Sequence, residues 1–323
     1  MEVGVAGPWG GGWDEAESAE SVVISLSRLG SPRLRPYESA DEAAVLELLA
    51  ADRLPGQPVC TALMLADALA GRSVADPAAW AALDGLVTTV LSTPDGGIGG
   101  IVCCAGRPCD DAALILWLHC RDSFETAAAL IARALEWSGV RLVYAFPLAS
   151  ALTGGLTGLP ERRGRARHEA LLAVGFTGLG RCRYLRAELP VAGLPHLGDV
   201  VLKDTVSPPG KRLEVRRYGR VLAQAIVERP VGGVGVIRSL TVAPDTCGQD
   251  LPVGLLGNAM DVLLGFGARE TIVYLDESPD EPEWDLAAAL RMYLFADFIE
   301  VDRLLTFSRP PTPSVGCGVR QLA

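Results

Sequence analysis

The chain has 323 residues, 29 Lys plus Arg against 39 Asp plus Glu, a net charge of -10 and 49% apolar residues. That length suits two domains, the apolar share excludes disorder over the whole chain, and the acidic balance repels phosphate backbones, so no nucleic-acid partner is expected. The first twenty residues hold no Lys or Arg and do not read as a secretion signal. No apolar run reaches the roughly 18 residues of a membrane helix, so a cytoplasmic protein with no membrane partner is expected.

Residues 1–32 are Gly-rich, then acidic, and read as a loose arm. A short strand is predicted at 34–37, a helix capped by Ser39 runs through 51, and further helix covers 73–86 around Asp76-Pro77. Strands at 85–92 and 97–105 flank the Pro94-Asp95-Gly96-Gly97 turn, and 112–119 forms a third. A helix at 123–137 stops at Gly139, a buried strand spans 141–146, a helix at 165–174 ends at Gly175, and a strand at 180–188 closes the series. Beyond a linker at 191–197 come strands at 212–218, 220–228 and 234–242, the first two meeting at Gly219. A helix at 253–266 stopped by Gly267, a strand at 271–275, a helix at 284–296 and a strand at 300–308 complete the chain.

The order of elements repeats, and residues echo with it. Gly139-x-Arg141 leads into Val143-Tyr144 as Gly267-x-Arg269 leads into Val273-Tyr274, and Phe176 precedes Arg181 as Phe298 precedes Arg303. Duplication of one α/β unit follows, with an arm at 1–32, units at 33–190 and 198–310 joined by 191–197, and a tail at 311–323.

Cys103, Cys104 and Cys109 lie close together, but adjacent cysteines point to opposite faces of a strand and His119, His168 and His196 are scattered, so reduced, mostly buried thiols and no metal are expected. His119, at a strand end, reads as packed or hydrogen-bonded. The informative stretch is 239–256, where a strand ends at Val242, a short loop follows and a helix begins near Val253. Free N–H groups and a helix dipole over such a loop suit a phosphate.

The run Ala289, Tyr293, Asp297, Phe298, Val301 resembles the GNAT superfamily, the Gcn5-related N-acyltransferases, whose closing helix and strand run Ala-x-x-x-Tyr-x-x-x-Gly-Phe-x-x-Val. Asp297 replaces the glycine. Val242, Pro244 and Leu255-Leu256 also fall in register with the family's donor-binding stretch. The resemblance implies an α/β fold (a mixed α+β sheet) of two tandem GNAT-like domains, each mostly antiparallel, splayed at its central parallel strands and flanked by helices. Departures bear on the donor. The family's three pyrophosphate-loop positions are held by Cys247, Asp250 and Pro252, which leaves two readings: a loop rearranged around Gly248 and Gly254, or a donor pantetheine on a carrier protein, with no ADP pyrophosphate. The first copy is similar at 34–44 and 170–176, but it has no glycine between His119 and Phe124 and carries Leu171 where the family has Tyr, so it reads as non-catalytic. The second copy has only about twenty residues before Arg212, too few for the helices that wall the family's acceptor site.

By this resemblance an acyl thioester, on acetyl-CoA, another acyl-CoA or a carrier protein, lies between the strands at 236–242 and 271–275. Leu240, Thr241 and Val242 pair with the pantetheine arm, while Cys247, Gly248, Gln249, Val253 and Gly254 surround the donor. Asp276 or Glu277 takes the proton of a small-molecule amine and Tyr293 protonates the departing thiolate. Tyr293 and the two carboxylates have plainer alternatives, a core tyrosine and a solvated acidic loop, and Cys247 as an acyl-accepting nucleophile has no His partner near it in sequence. The function expected is N-acyl transfer to an amine, in specialised metabolism by association of composition; the alternative is a non-catalytic GNAT-like binding or scaffold protein.

Overall fold

Strands alternate with helices twice along this chain, and the described strands all meet in one sheet. The computed structural model describes residues 33–74, 76–121, 123–153, 157–206, 208–243, 250–277 and 285–311. The first series comprises β1 (Arg33–Pro36), α1 (Glu42–Asp52), α2 (Ala62–Leu69), α3 (Pro77–Ala81), β2 (Asp84–Ser92), β3 (Ile98–Arg107), β4 (Ala112–Cys120), α4 (Phe124–Ser138), β5 (Val143–Ala145), β6 (Leu159–Pro160), α5 (Arg165–Ala173) and β7 (Thr177–Glu188). The second comprises β8 (Val200–Val206), β9 (Pro209–Arg217), β10 (Arg220–Val231), β11 (Val234–Val242), α6 (Asp250–Gly265), β12 (Glu270–Asp276), α7 (Leu286–Phe295) and β13 (Ile299–Arg309).

Side-chain caps set several helix starts: Thr61 accepts from the Met64 N–H, Asp76 from Ala79, Ser123 from Thr126 and Asp285 from Ala288. The two series end their last helices alike. Gly175 and Asp297 both take positive φ (87° and 57°), and the next residue donates back over the turn, Phe176 N–H to Leu171 and Phe298 N–H to Tyr293. Asp tolerates this left-handed conformation better than most residues, so it stands in for a glycine at Asp297.

The sheet runs β1-β2-β3-β4-β5-β13-β7-β12-β11-β10-β9-β8, with β6 pairing on β13. Among the described residues, only β4–β5 and β11–β12 are parallel. The closing strand of each series lies against the parallel strand of the other: β13 pairs with β5 (Phe307 opposite Ala145) and β7 pairs with β12 (Val273 opposite Leu185). β7 and β13 then pair with each other along nearly their whole length.

One face of the first series packs α4 and α5 over Val102, Ile115, Leu118 and Phe307; the other packs α1–α3 over Ile101, Cys103, Leu114 and Leu116. In the second series α6 and α7 cover one face, whereas the opposite face holds only a small cluster of Leu54, Tyr184, Val234, Val236, Ile272 and Leu304. Among the described residues that face has no helix of its own. It borrows Leu54 and the loop after α1, where the Tyr184 hydroxyl donates to the Pro55 carbonyl at 3.0 Å.

Two expectations are corrected and two elements are added. The helix foreseen over 73–86 spans only Pro77–Ala81, because strand pairing begins at Asp84 opposite Gly106. The helix near Val253 begins at Asp250, which puts Pro252 in its first turn, where a missing N–H costs no helical bond. Strand β8 and helix α2 were not foreseen.

Candidate active site

Each parallel pair holds for three residues and then ends. β4 and β5 pair at Ala113–Val143 through Ile115–Ala145, and β11 and β12 pair at Val234–Glu270 through Val236–Ile272. Just beyond, each inner strand carries a bulge against its antiparallel neighbour: Leu116 is passed over between Ile115 and Trp117, and Arg238 between Ile237 and Ser239. A bulge raises local twist and redirects the strand, so both pairs part at equivalent places. Past Arg238, β11 pairs only with β10, and its edge toward β12 carries no ladder.

The first of these openings is filled from within. Arg167 of α5, with a side chain 4% exposed, donates to the Leu118 carbonyl on the free edge of β4 at 3.1 Å. It is paired with Asp52 at the end of α1 through both guanidinium NH2 groups, and His119 Nδ1 lies 2.7 Å from the same carboxylate. Only about 40 Å³ of space remains, bounded by Leu116–His119, Phe146 and Arg167. The neighbouring helix terminus is taken as well: Ser123 caps α4 and donates to Glu125 at 2.9 Å. Burial pushes the Asp52 carboxyl up, but the hydrogen bond and charge of His119 together with Arg167 outweigh it and hold the group below the usual aspartate value. A carboxyl depressed in the folded state adds stability above its unfolded pKa near 4 and loses it as pH falls through the folded value. Urea unfolding should therefore show a steep loss of stability below about pH 4, and Asp52→Asn should flatten that acid limb; equal acid limbs in the two proteins would contradict the assignment.

The second opening is built differently. Glu228 of β10 pairs with Arg238 at 2.5 Å, and Arg238 Nη1 donates to the Tyr274 hydroxyl of β12 at 2.7 Å, so one polar chain crosses from β10 over β11 to β12. This chain lies on the sheet face without helices. Burial raises the Glu228 carboxyl above the usual glutamate value, with Arg238 only partly opposing it, and burial also raises the Tyr274 phenol. Neither Glu228 nor Arg238 was singled out from sequence. The available signal was a charged residue inside the otherwise apolar run of β11, at Arg238.

Among the residues expected from sequence, Leu240 and Val242 pack toward α6 and α7, and Thr241 is exposed. Tyr293 is 2% exposed in the same cluster, its ring edge-on to Phe298 at 5.1 Å, and burial raises its phenol pKa. Asp276 ends β12 and is exposed. Glu277 follows it into a belt of ion pairs, 3.0 Å from Arg183, 3.7 Å from Arg303 and 3.8 Å from Arg181, which separates the α4–α5 core from the α6–α7 core. Val253 is partly buried against the α6 core. Gly254 faces Leu197, where a Cβ would come within 2.8 Å of that side chain, so its smallness serves packing of the linker on α6. Cys247, Gly248 and Gln249 lie outside the described residues. Cys103 and Cys104 are buried on opposite faces of β3 and Cys109 is exposed. Among the described residues no group of three or more His, Cys, Asp or Glu is placed to hold a metal, and no helix is long and apolar enough to cross a membrane.

No protein-family model and no curated protein matches the chain. Solved structures do. A GCN5-related N-acetyltransferase from Sphaerobacter thermophilus is similar over 87% of this chain and 96% of its own, with TM-score 0.57 and 15% identity. A tandem GNAT protein from the clavulanic acid biosynthesis pathway is similar over 87% of this chain and 99% of its own, with TM-score 0.63 and 15% identity. With its two splayed parallel pairs, the chain has the fold of a tandem GNAT protein.

Proposed function

We propose that the second half is the catalytic unit of an N-acyltransferase, moving an acetyl or related acyl group from a pantetheine thioester to an amine, and that the first half, 33–190, braces it without binding donor. The observation that carries this reading is the contrast between the two openings. Arg167 occupies the first edge, whereas the β11 edge from Arg238 to Val242 is free to pair with an extended arm as an added strand would. An acyl carbonyl at that edge is polarised by a backbone N–H.

Glu228 is the base in this proposal, in preference to Asp276 and Glu277. It lies at the apex of the opening with its side chain 13% exposed, while Glu277 is engaged by three guanidinium groups past the far end of β12. The neutral amine attacks the carbonyl carbon, the C–N bond forms as the C–S bond breaks, Glu228 accepts the proton from nitrogen, and Tyr293 donates one to the thiolate. Burial keeps the Tyr293 phenol protonated before the step and at the same time makes it the weaker acid, so the transfer is driven by the charge developing on the sulfur. Cys247, Asp250 and Pro252 in the donor loop favour pantetheine on a carrier protein over free acyl-CoA as donor, in a cytoplasmic biosynthetic role. The competing reading, a scaffold without catalysis, draws on the Arg238–Tyr274 bond that spans the opening.

Thermal-shift titration with acetyl-CoA and with an acetylated carrier protein separates the two: stabilisation by either supports the enzyme, and stabilisation by neither supports the scaffold. For an active enzyme, Tyr293→Phe lowers turnover at least about tenfold with the melting temperature little changed; undiminished turnover removes Tyr293 from the mechanism.

A further inference from the structure

We infer that the acceptor is a primary amine carried on an apolar body, bound in the groove between α2 of the first half and β10–β11 of the second. The inference rests on the acyltransferase reading above and adds the substrate class. The groove measures about 420 Å³, within the roughly 300–1,000 Å³ of small-molecule sites. Its walls come from both halves: Leu63, Met64 and Val74 from the first, and Val231, Val234 and Val236 from the second.

Val234 and Val236 are buried and form part of its floor, while Leu63 and Val74, 71% and 57% exposed, stand at its rim with Val231. Large apolar side chains left open around one cavity mark a surface that another apolar body covers. Val236 is the last residue of β11 still paired with β12, so the groove ends where the opening for the thioester begins. Glu228 lies directly opposite Val236 in β10 and lines the groove. Arg229 also borders it, but its guanidinium stacks 4.9 Å from the Phe266 ring beyond α6, on the other face of the sheet. Asp67 at the rim is paired with Arg72 at 2.8 Å. The carboxylate of Glu228, its side chain 13% exposed, thus meets the amine head in the groove and accepts a hydrogen bond from its N–H, and the valines and Leu63 take the apolar body. The same arrangement accounts for the brevity of the second half, since α2 of the first supplies the acceptor wall that the second lacks.

Calorimetry on the full chain tests this with 4-phenylbutylamine as the apolar amine and ethanolamine as its polar counterpart. The apolar amine should bind at least about tenfold more tightly, and Leu63→Arg, at an exposed position on the rim, should weaken it by about tenfold or more while acetyl-CoA or carrier binding stays as it was. Equal affinity for ethanolamine, or indifference to Leu63→Arg, overturns the groove assignment even if acyl transfer is observed. Amine binding that responds to Leu63→Arg in a protein that binds no thioester donor instead overturns the transferase reading.

Discussion

Under the proposed mechanism, replacing Glu228 with Gln should lower kcat by about 10²-fold or more while leaving thioester binding unchanged, because the group lost is the one assigned to the acceptor's proton and not to the donor. The substitution keeps the shape of the side chain and an oxygen for Arg238 to donate to, and Arg238 keeps its bond to Tyr274. The pH dependence carries more weight than the drop itself. A base works only when deprotonated, so the rate of the native enzyme falls as pH drops through the Glu228 pKa. Burial sets that pKa above the ordinary glutamate value, and Arg238 only partly reverses the shift. The acid limb of kcat/KM should therefore lie above the usual glutamate range, and it should disappear in Glu228→Gln. A Glu228→Gln enzyme with normal kcat and an unmoved acid limb would reduce Glu228 to a structural partner of Arg238.

Most elements of this fold that bury one face are legible in sequence, and the short helix α2, with only Leu65 and Ala68 buried, is the exception. The strands at 112–119 and 234–242 and the helices stopped by Gly139, Gly175 and Gly267 are where their apolar patterns and breakers place them. Strand β8 was missed because it is exposed along most of its length and its Val-Val-Leu-Lys-Asp-Thr-Val sequence has no clean alternation. The pairing of β13 with β5 is not written in any local pattern: a strand with the right faces fits either edge, and the choice is made by the packing of both halves together. The site divides in the same way. The position of Tyr293 follows from a helix-end pattern that the Asp297 turn preserves. The Glu228–Arg238–Tyr274 chain depends on a bulge and on three strands meeting, so neither its members nor their contact could be read along the chain.

The exchanged strands make the two halves dependent on each other, and this has a large expected consequence. Expressed alone, residues 33–190 should fail to give a cooperatively folding monomer, and so should residues 198–311; expressed together as separate chains they should copurify as a one-to-one complex. The first fragment loses β13, which covers the edge of β5 and places Phe307, 1% exposed, edge-on to Phe146 at 6.4 Å in the α4–α5 core. Removing one such buried aromatic costs about 3–5 kcal/mol, a large part of the total stability of a domain of this size. Its β7 is left with both long edges bare, an invitation to aggregation. The second fragment loses β7, which supplies Leu185 and Ala187 to the core beneath α6 and α7 and pairs with all seven residues of β12. Joined again, each fragment supplies the strand the other lacks, so complex formation needs no covalent link between them. A soluble 33–190 monomer with a sharp thermal transition would show that the first half stands without β13, and the physical reason for keeping a copy whose opening is plugged by Arg167 would have to be sought in the groove wall alone.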